Sequence, residues 1–115
     1  MDIQSVTVGF PVTDLDRSMA WYRRVFELAE PDLVPADGVV EFRLGSIWLQ
    51  LAEGPSPSSG ATTIARFGVD DAAAARERLI GCGVEVGPLE HVPGAVDYVE
   101  FEDPDGNQLS LYSEL

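Results

Sequence analysis

Val6-Thr7-Val8-Gly9-Phe10-Pro11-Val12-Thr13-Asp14-Leu15-Asp16-Arg17-Ser18-Met19-Ala20-Trp21-Tyr22 is the stretch whose reading decides the fold. Val6, Val8, Phe10 and Val12 alternate with Thr7, Gly9 and Pro11, the period-two signal of a strand with one apolar face. At Asp14 the period changes. Asp14 is an N-cap type, and beyond it Leu15, Met19, Tyr22 and Phe26 recur at helical spacing to give one packing face. A short strand therefore enters an amphipathic helix through an acidic turn.

The same transition returns at Asp70-Asp71-Ala72, with Asp71 lying 57 positions after Asp14. That displacement also sets Val8 on Ala65, Phe10 on Phe67, Val12 on Val69, Tyr22 on Leu79 and Phe42 on Val99. The last strand of each half needs about three more places, because Asp103-Pro104-Asp105-Gly106 is the longer turn. Between the two transitions, Pro31 and Pro35 interrupt a short extended connection. Asp37-Gly38 then turns the chain into strands 39–44 and 47–51. Gly54–Gly60, rich in Pro, Ser and Gly, reads as a linker. The expected organisation is one domain, 1–115, of half-modules 1–54 and 61–115 joined by 55–60. In the second half, strand Ile64–Val69 leads to a helix over Ala72–Ile80, ended by Gly81 and Gly83. A short strand Val84–Val86, a loop Pro88–Gly94 and strands Val96–Phe101 and Gln108–Tyr112 follow.

With 115 residues, the chain holds one domain with a real core. Twenty acidic side chains against seven arginines give a net charge of −13, a field that opposes nucleic acid and anionic membrane surfaces. The single Cys82 forms no intrachain disulfide or CxxC motif and reads as helix-end packing. Neither a signal-peptide pattern nor a membrane-length apolar run is found, so a cytoplasmic protein is expected.

Strand parity sorts the side chains. Val40, Phe42, Leu44, Ile47, Leu49 and Leu51 pack toward the first helix, and Ala65, Phe67, Val69, Val99, Phe101, Leu109 and Leu111 toward the second. In the first half this leaves Thr7, Glu41, Arg43, Trp48 and Gln50 on the opposite face. In the second it leaves Ile64, Arg66, Tyr98, Glu100, Ser110 and Tyr112. A solvated face has little use for Trp48, Ile64, Tyr98 and Tyr112, and a closed core does not tolerate four unpaired charges. A sheet lining a partly polar ligand pocket accommodates both.

Phe10–Tyr22 and Phe101-Glu102-Asp103-Pro104-Asp105-Gly106-Asn107-Gln108-Leu109, together with the two-half layout, resemble the vicinal oxygen chelate superfamily. That group includes glyoxalase I, extradiol dioxygenases, fosfomycin resistance proteins and bleomycin-binding proteins. The resemblance covers essentially the whole chain. It implies an α+β fold of two βαβββ modules, whose curved mixed sheet surrounds a cleft, with modules paired within a chain or across a homodimer. It also implies, for enzymatic members, a divalent metal held by His or Glu-type side chains on four strands. Those positions fall here on Thr7, Gln50, Ile64 and Ser110. Ile64 cannot coordinate, and the other three are weak neutral donors, so neither a metal nor another cofactor is expected. A non-standard divalent site would have to use Glu41 and Glu100, against the positive charge of Arg43 and Arg66.

The remaining chemistry-bearing residues have structural readings. Asp14 and Asp71 are caps, and Tyr22 packs between helix and sheet. Asp103, Asp105 and Asn107 build a tight turn without the spacing of a calcium loop. His91 sits in a solvated loop, and Glu100 pairs with Arg43 or Arg66. The function expected is metal-independent binding of a small molecule in the cleft, in the manner of resistance proteins that sequester a drug. Glu41 and Glu100 beside aromatic walls favour a flat cationic or amphipathic ligand. The alternative is a glyoxalase-like lyase, isomerase or epimerase with Glu100 as the catalytic acid or base. A third reading is a structural homodimer without a metabolic ligand.

Overall fold

A computed structural model describes residues 1–55 and 63–115. The element order is β1 (Thr7–Val12), α1 (Leu15–Phe26), β2 (Leu33–Ala36), β3 (Val39–Leu44), β4 (Ile47–Glu53), β5 (Ile64–Gly68), α2 (Ala72–Gly81), β6 (Glu90–Val92), β7 (Val96–Glu102) and β8 (Gln108–Glu114). The chain divides into two compact units, Met1–Ser59 and Gly60–Leu115. Most of the expected linker, 56–60, lies outside the described residues. Each unit is a βαβββ module with a four-stranded mixed sheet, ordered β1-β4-β3-β2 in the first and β5-β8-β7-β6 in the second. Within each sheet one pair is parallel, β1 with β4 and β5 with β8, and the others are antiparallel.

The helices start as the sequence dictates. Asp14 accepts a hydrogen bond from the Arg17 amide, and Asp71 from the Ala74 amide, each at 3.1 Å. Both caps thus occupy N–H groups that a helix start leaves without a partner. The last strand of each sheet supplies another acceptor. Glu53 Oε2 takes the Leu15 amide and Ser113 Oγ the Ala72 amide, both at 2.9 Å. The helix ends differ. Glu27 closes α1 with φ of 56°, whereas Gly83 takes the left-handed position after α2 with φ of 82°. Leu28 N–H donates to the Arg23 carbonyl and Val84 N–H to the Leu79 carbonyl, closing equivalent turns.

The core of the first unit gathers Phe10, Val12, Tyr22, Val25, Val40, Phe42, Leu49 and Leu51. Tyr22 is its centre, fully buried and flanked by the rings of Phe10, Trp21 and Phe26. Ser18, one turn before it, is also fully buried, so the helix face is centred slightly away from the Leu15–Met19 line. The second core gathers Ala72, Leu79, Val84, Val99, Phe101, Leu109 and Leu111. Ala65 and Phe67 are only half-buried there, and β5 stops at Gly68, one residue before Val69.

Three expectations are corrected. Leu33–Ala36, read as an interrupted connection, is the edge strand β2, where Pro35 lies on an unpaired rim that does not need its missing N–H. Val84–Val86 is not a strand. It contributes a single bridge, Val86 to Phe101, and the edge strand is instead Glu90–Val92. His91 therefore sits in a strand rather than a loop, opposite Asp97, with Nδ1 and Oδ1 2.6 Å apart. Finally, Phe42 faces Leu49 while Phe101 faces Leu109, so the counterpart of Phe42 is Phe101 rather than Val99. The two-residue difference preserves parity, which is why the side-chain sorting survives it.

Candidate functional site

In the first unit, the sheet face turned away from α1 carries two rows of side chains. One row sets Thr7 beside Trp48 and Arg43, and the other sets Gly9 beside Gln50 and Glu41. Arg43 lies over the Trp48 ring, with its guanidinium carbon 5.4 Å from the centroid, and its Nε donates to the Gly45 carbonyl. Gln50 Nε2 donates to Glu41 Oε2 at 2.8 Å. Gly9 completes this row, and a Cβ there would stand 3.4 Å from Gln50 Oε1, about an ordinary contact. Gln50 and Glu41 are thus partnered across neighbouring strands, and Arg43 with Trp48.

The second unit is built on the same rows with different residues. Arg66 on β5 lies beside Ser110 on β8, which lies beside Glu100 on β7. Arg66 Nη1 donates to Ser110 Oγ at 3.1 Å, and Nη2 to Glu100 Oε2 at 3.2 Å. Of the two pairings expected for Glu100, the one with Arg66 forms. Ser110 is fully buried beneath this contact, which fixes the guanidinium at its base. The same guanidinium lies 5.4 Å from the Tyr98 ring centroid. The neighbouring row is Gly68, Tyr112 and Tyr98. A Cβ on Gly68 would come within 3.2 Å of the Tyr112 ring and hydroxyl, so glycine is what lets that ring lie across β5. Arg66, Val96, Tyr98 and Tyr112 line a cavity of about 560 Å³, within the range of small-molecule sites.

The eleven candidates therefore fall into two separate sets, one per sheet, and the cavity gathers three of them. Ile64 is half-buried beside Gln108. Val96 was missing from the candidates although it shares the parity of Tyr98 and Glu100 and could have been found by it. Gly68 was legible by parity too, but only the Tyr112 ring explains why it matters. Gln108, whose amide donates to Glu102 at 2.7 Å, was likewise missed.

The family model for the Glyoxalase/Bleomycin resistance protein/Dioxygenase superfamily matches residues 4–111. The chain belongs to this superfamily. No curated protein matches it significantly. Among solved structures, it is similar to a glyoxalase/bleomycin resistance protein from Catenulispora acidiphila, at 26% identity over 95% of this chain and 96% of that one, with a TM-score of 0.76. A lactoylglutathione lyase from Agrobacterium tumefaciens is 25% identical over 94% of this chain and 91% of that one, with a TM-score of 0.74. The fosfomycin resistance protein FosX from Listeria monocytogenes shares the fold, with a TM-score of 0.83 at 23% identity over 98% of this chain and 92% of that one.

The residues at the metal positions implied by superfamily membership do not fit a divalent ion. Ile64 has no donor atom. Ser110 Oγ already accepts from a guanidinium, whose charge opposes a cation beside it. Gln50, its Nε2 bonded to Glu41, offers only a neutral carbonyl oxygen. Nor do the carboxylates of the displaced alternative stand ready, since Glu100 is tied to Arg66 and Glu41 to Gln50. Among the described residues, no three His, Cys, Asp or Glu side chains form a group suited to a metal. The acidic turn near the C-terminus is structural: Asp103 accepts from the Asp105 and Asn107 amides and from Asn107 Nδ2. No helix among the described residues is long and apolar enough to cross a membrane.

Proposed function

We propose that this superfamily member is a cytoplasmic, homodimeric small-molecule-binding protein that holds its ligand against the Arg66, Tyr98 and Tyr112 face without a metal ion. The observation that carries the reading is the Arg66 guanidinium bonded to Ser110, a fixed cation at one of the family's metal-ligand positions. The adjoining cavity supports it in size and in its aromatic walls. The names of the relatives span a resistance protein and a lyase, so the weight rests on the residues. Glu100, the acid or base of the enzymatic alternative, has one oxygen engaged by Arg66. That contact favours binding over turnover.

The test is a panel of aromatic small molecules screened by ligand-observed NMR in excess EDTA. Saturable binding without chemical change is expected. Binding that appears only after Mn²⁺ or Zn²⁺ is supplied overturns the reading, and turnover abolished by Glu100→Gln would establish the enzymatic alternative. Light scattering on the purified protein checks the homodimer.

A further inference from the structure

We infer that the group recognised on the ligand is a carboxylate carried by a flat ring, seated on the Arg66 guanidinium. The inference rests on the small-molecule reading above and reverses the sign of charge expected from Glu41 and Glu100. The residues lining the cavity are Arg66, Val96, Tyr98 and Tyr112, and the one charged side chain among them is cationic. Glu100, the partner of Arg66, is not among the lining residues.

A guanidinium has five N–H donors in a planar fork. Ser110 Oγ and Glu100 Oε2 take two of them, and three have no partner among the described residues. The Arg66 side chain is about half exposed, so water serves those donors until a ligand arrives. A ligand that displaces this water must bring acceptors of its own, or the donors are left unmade at a cost. A carboxylate has two oxygens at the spacing of the fork. The buried Ser110 holds the head group in place beforehand, which lowers the ordering cost of binding. Tyr112, its ring laid across Gly68, and Val96 give a flat apolar wall for the ring that bears the carboxylate. The chain's net charge of −13 works against an approaching anion, so recognition here is a short-range matter of the fork rather than long-range steering.

The experiment compares benzoate, benzamide and benzamidine, three probes of one shape and different charge, by titration of ¹⁵N-labelled protein in EDTA. Benzoate is expected to bind about tenfold or more tighter than the other two, and Arg66→Met to remove that advantage. Arg66→Lys, which keeps the charge and loses the fork, recovers only a minor part of it. Glu100→Gln removes the competing internal anion and strengthens benzoate several-fold, whereas a cation-binding site would weaken. That last variant keeps the test decisive if Arg66→Met does not fold. Comparable or tighter binding of benzamide or benzamidine in EDTA overturns the carboxylate while leaving the metal-free reading intact. Failure of benzoate to bind, or weaker benzoate binding in Glu100→Gln, also overturns it. Binding of any probe only with added Mn²⁺ removes the metal-free reading itself.

Discussion

Across the sheet of the first unit, the central row away from the helix reads Gly9, Gln50 and Glu41; in the second it reads Arg66, Ser110 and Glu100. Both rows occupy the same places in the same strand order, and both end on a glutamate. Behind them the halves are nearly interchangeable: an aspartate cap, one buried side chain at the centre of the helix (Tyr22 or Leu79), and a last-strand acceptor tied to the first helical amide. The difference lies in what fills the first position. Glycine brings no side chain of its own, and the glutamine amide turns to the glutamate. Arginine brings a cation that gathers serine and glutamate around itself. The shared side is constrained by burial, while the other side, apart from the buried Ser110, carries charged side chains that are at most half-buried.

The comparison breaks most severely at the helix centres. Tyr22→Ala should cost about 3–5 kcal/mol and Leu79→Ala about 2–5 kcal/mol, measured by urea denaturation. Loss from only one would mean that the two cores do not carry comparable loads. Next come the last-strand ties. Ser113→Ala leaves the buried Ala72 amide without its acceptor and should cost about 1–3 kcal/mol, while the exposed Glu53→Ala should cost about 1 kcal/mol or less, since water can replace it. The caps sharpen the symmetry: Asp14→Ala and Asp71→Ala should each lower stability by about 1 kcal/mol and agree closely. The helix ends are where the halves should diverge in sign. Glu27→Gly should raise the melting temperature slightly, worth about 0.5 kcal/mol, because it relieves a left-handed backbone. Gly83→Ala should lower stability by about 1 kcal/mol for the same reason reversed. The smallest effect belongs to the Arg66–Glu100 pair. Both side chains are about half exposed, so a double-mutant cycle should return only about 0.2–1 kcal/mol of coupling.

Much of this was legible along the chain. Phe10, Val12, Tyr22, Phe42, Leu49 and Leu51 announce their burial by alternation or helical spacing, and Asp14 and Asp71 announce caps by position. The edge strands were not legible. Leu33–Ala36 has all four residues exposed and contains a proline, and all three residues of Glu90–Val92 are exposed too, so neither carries an apolar pattern to read. Of the candidate face, parity gave the membership but not the partnerships. Nothing in the spacing of Arg43, Arg66 and Glu100 says which arginine meets the glutamate, because both have the same parity.

The sequence by itself determined the repeated strand–helix starts, their caps and the buried faces of the inner strands, since these follow from periodicity and from backbone groups that must be satisfied locally. The edge strands that complete each βαβββ module were implied only by the family resemblance. Only the tertiary structure decided that Arg66 joins Ser110 and Glu100, that Arg43 covers Trp48 instead, and that Gly68 gives room to Tyr112. Those outcomes depend on strand register, which brings residues distant in sequence to within a few ångströms. A shift of two residues changes every partner while leaving the alternating pattern untouched.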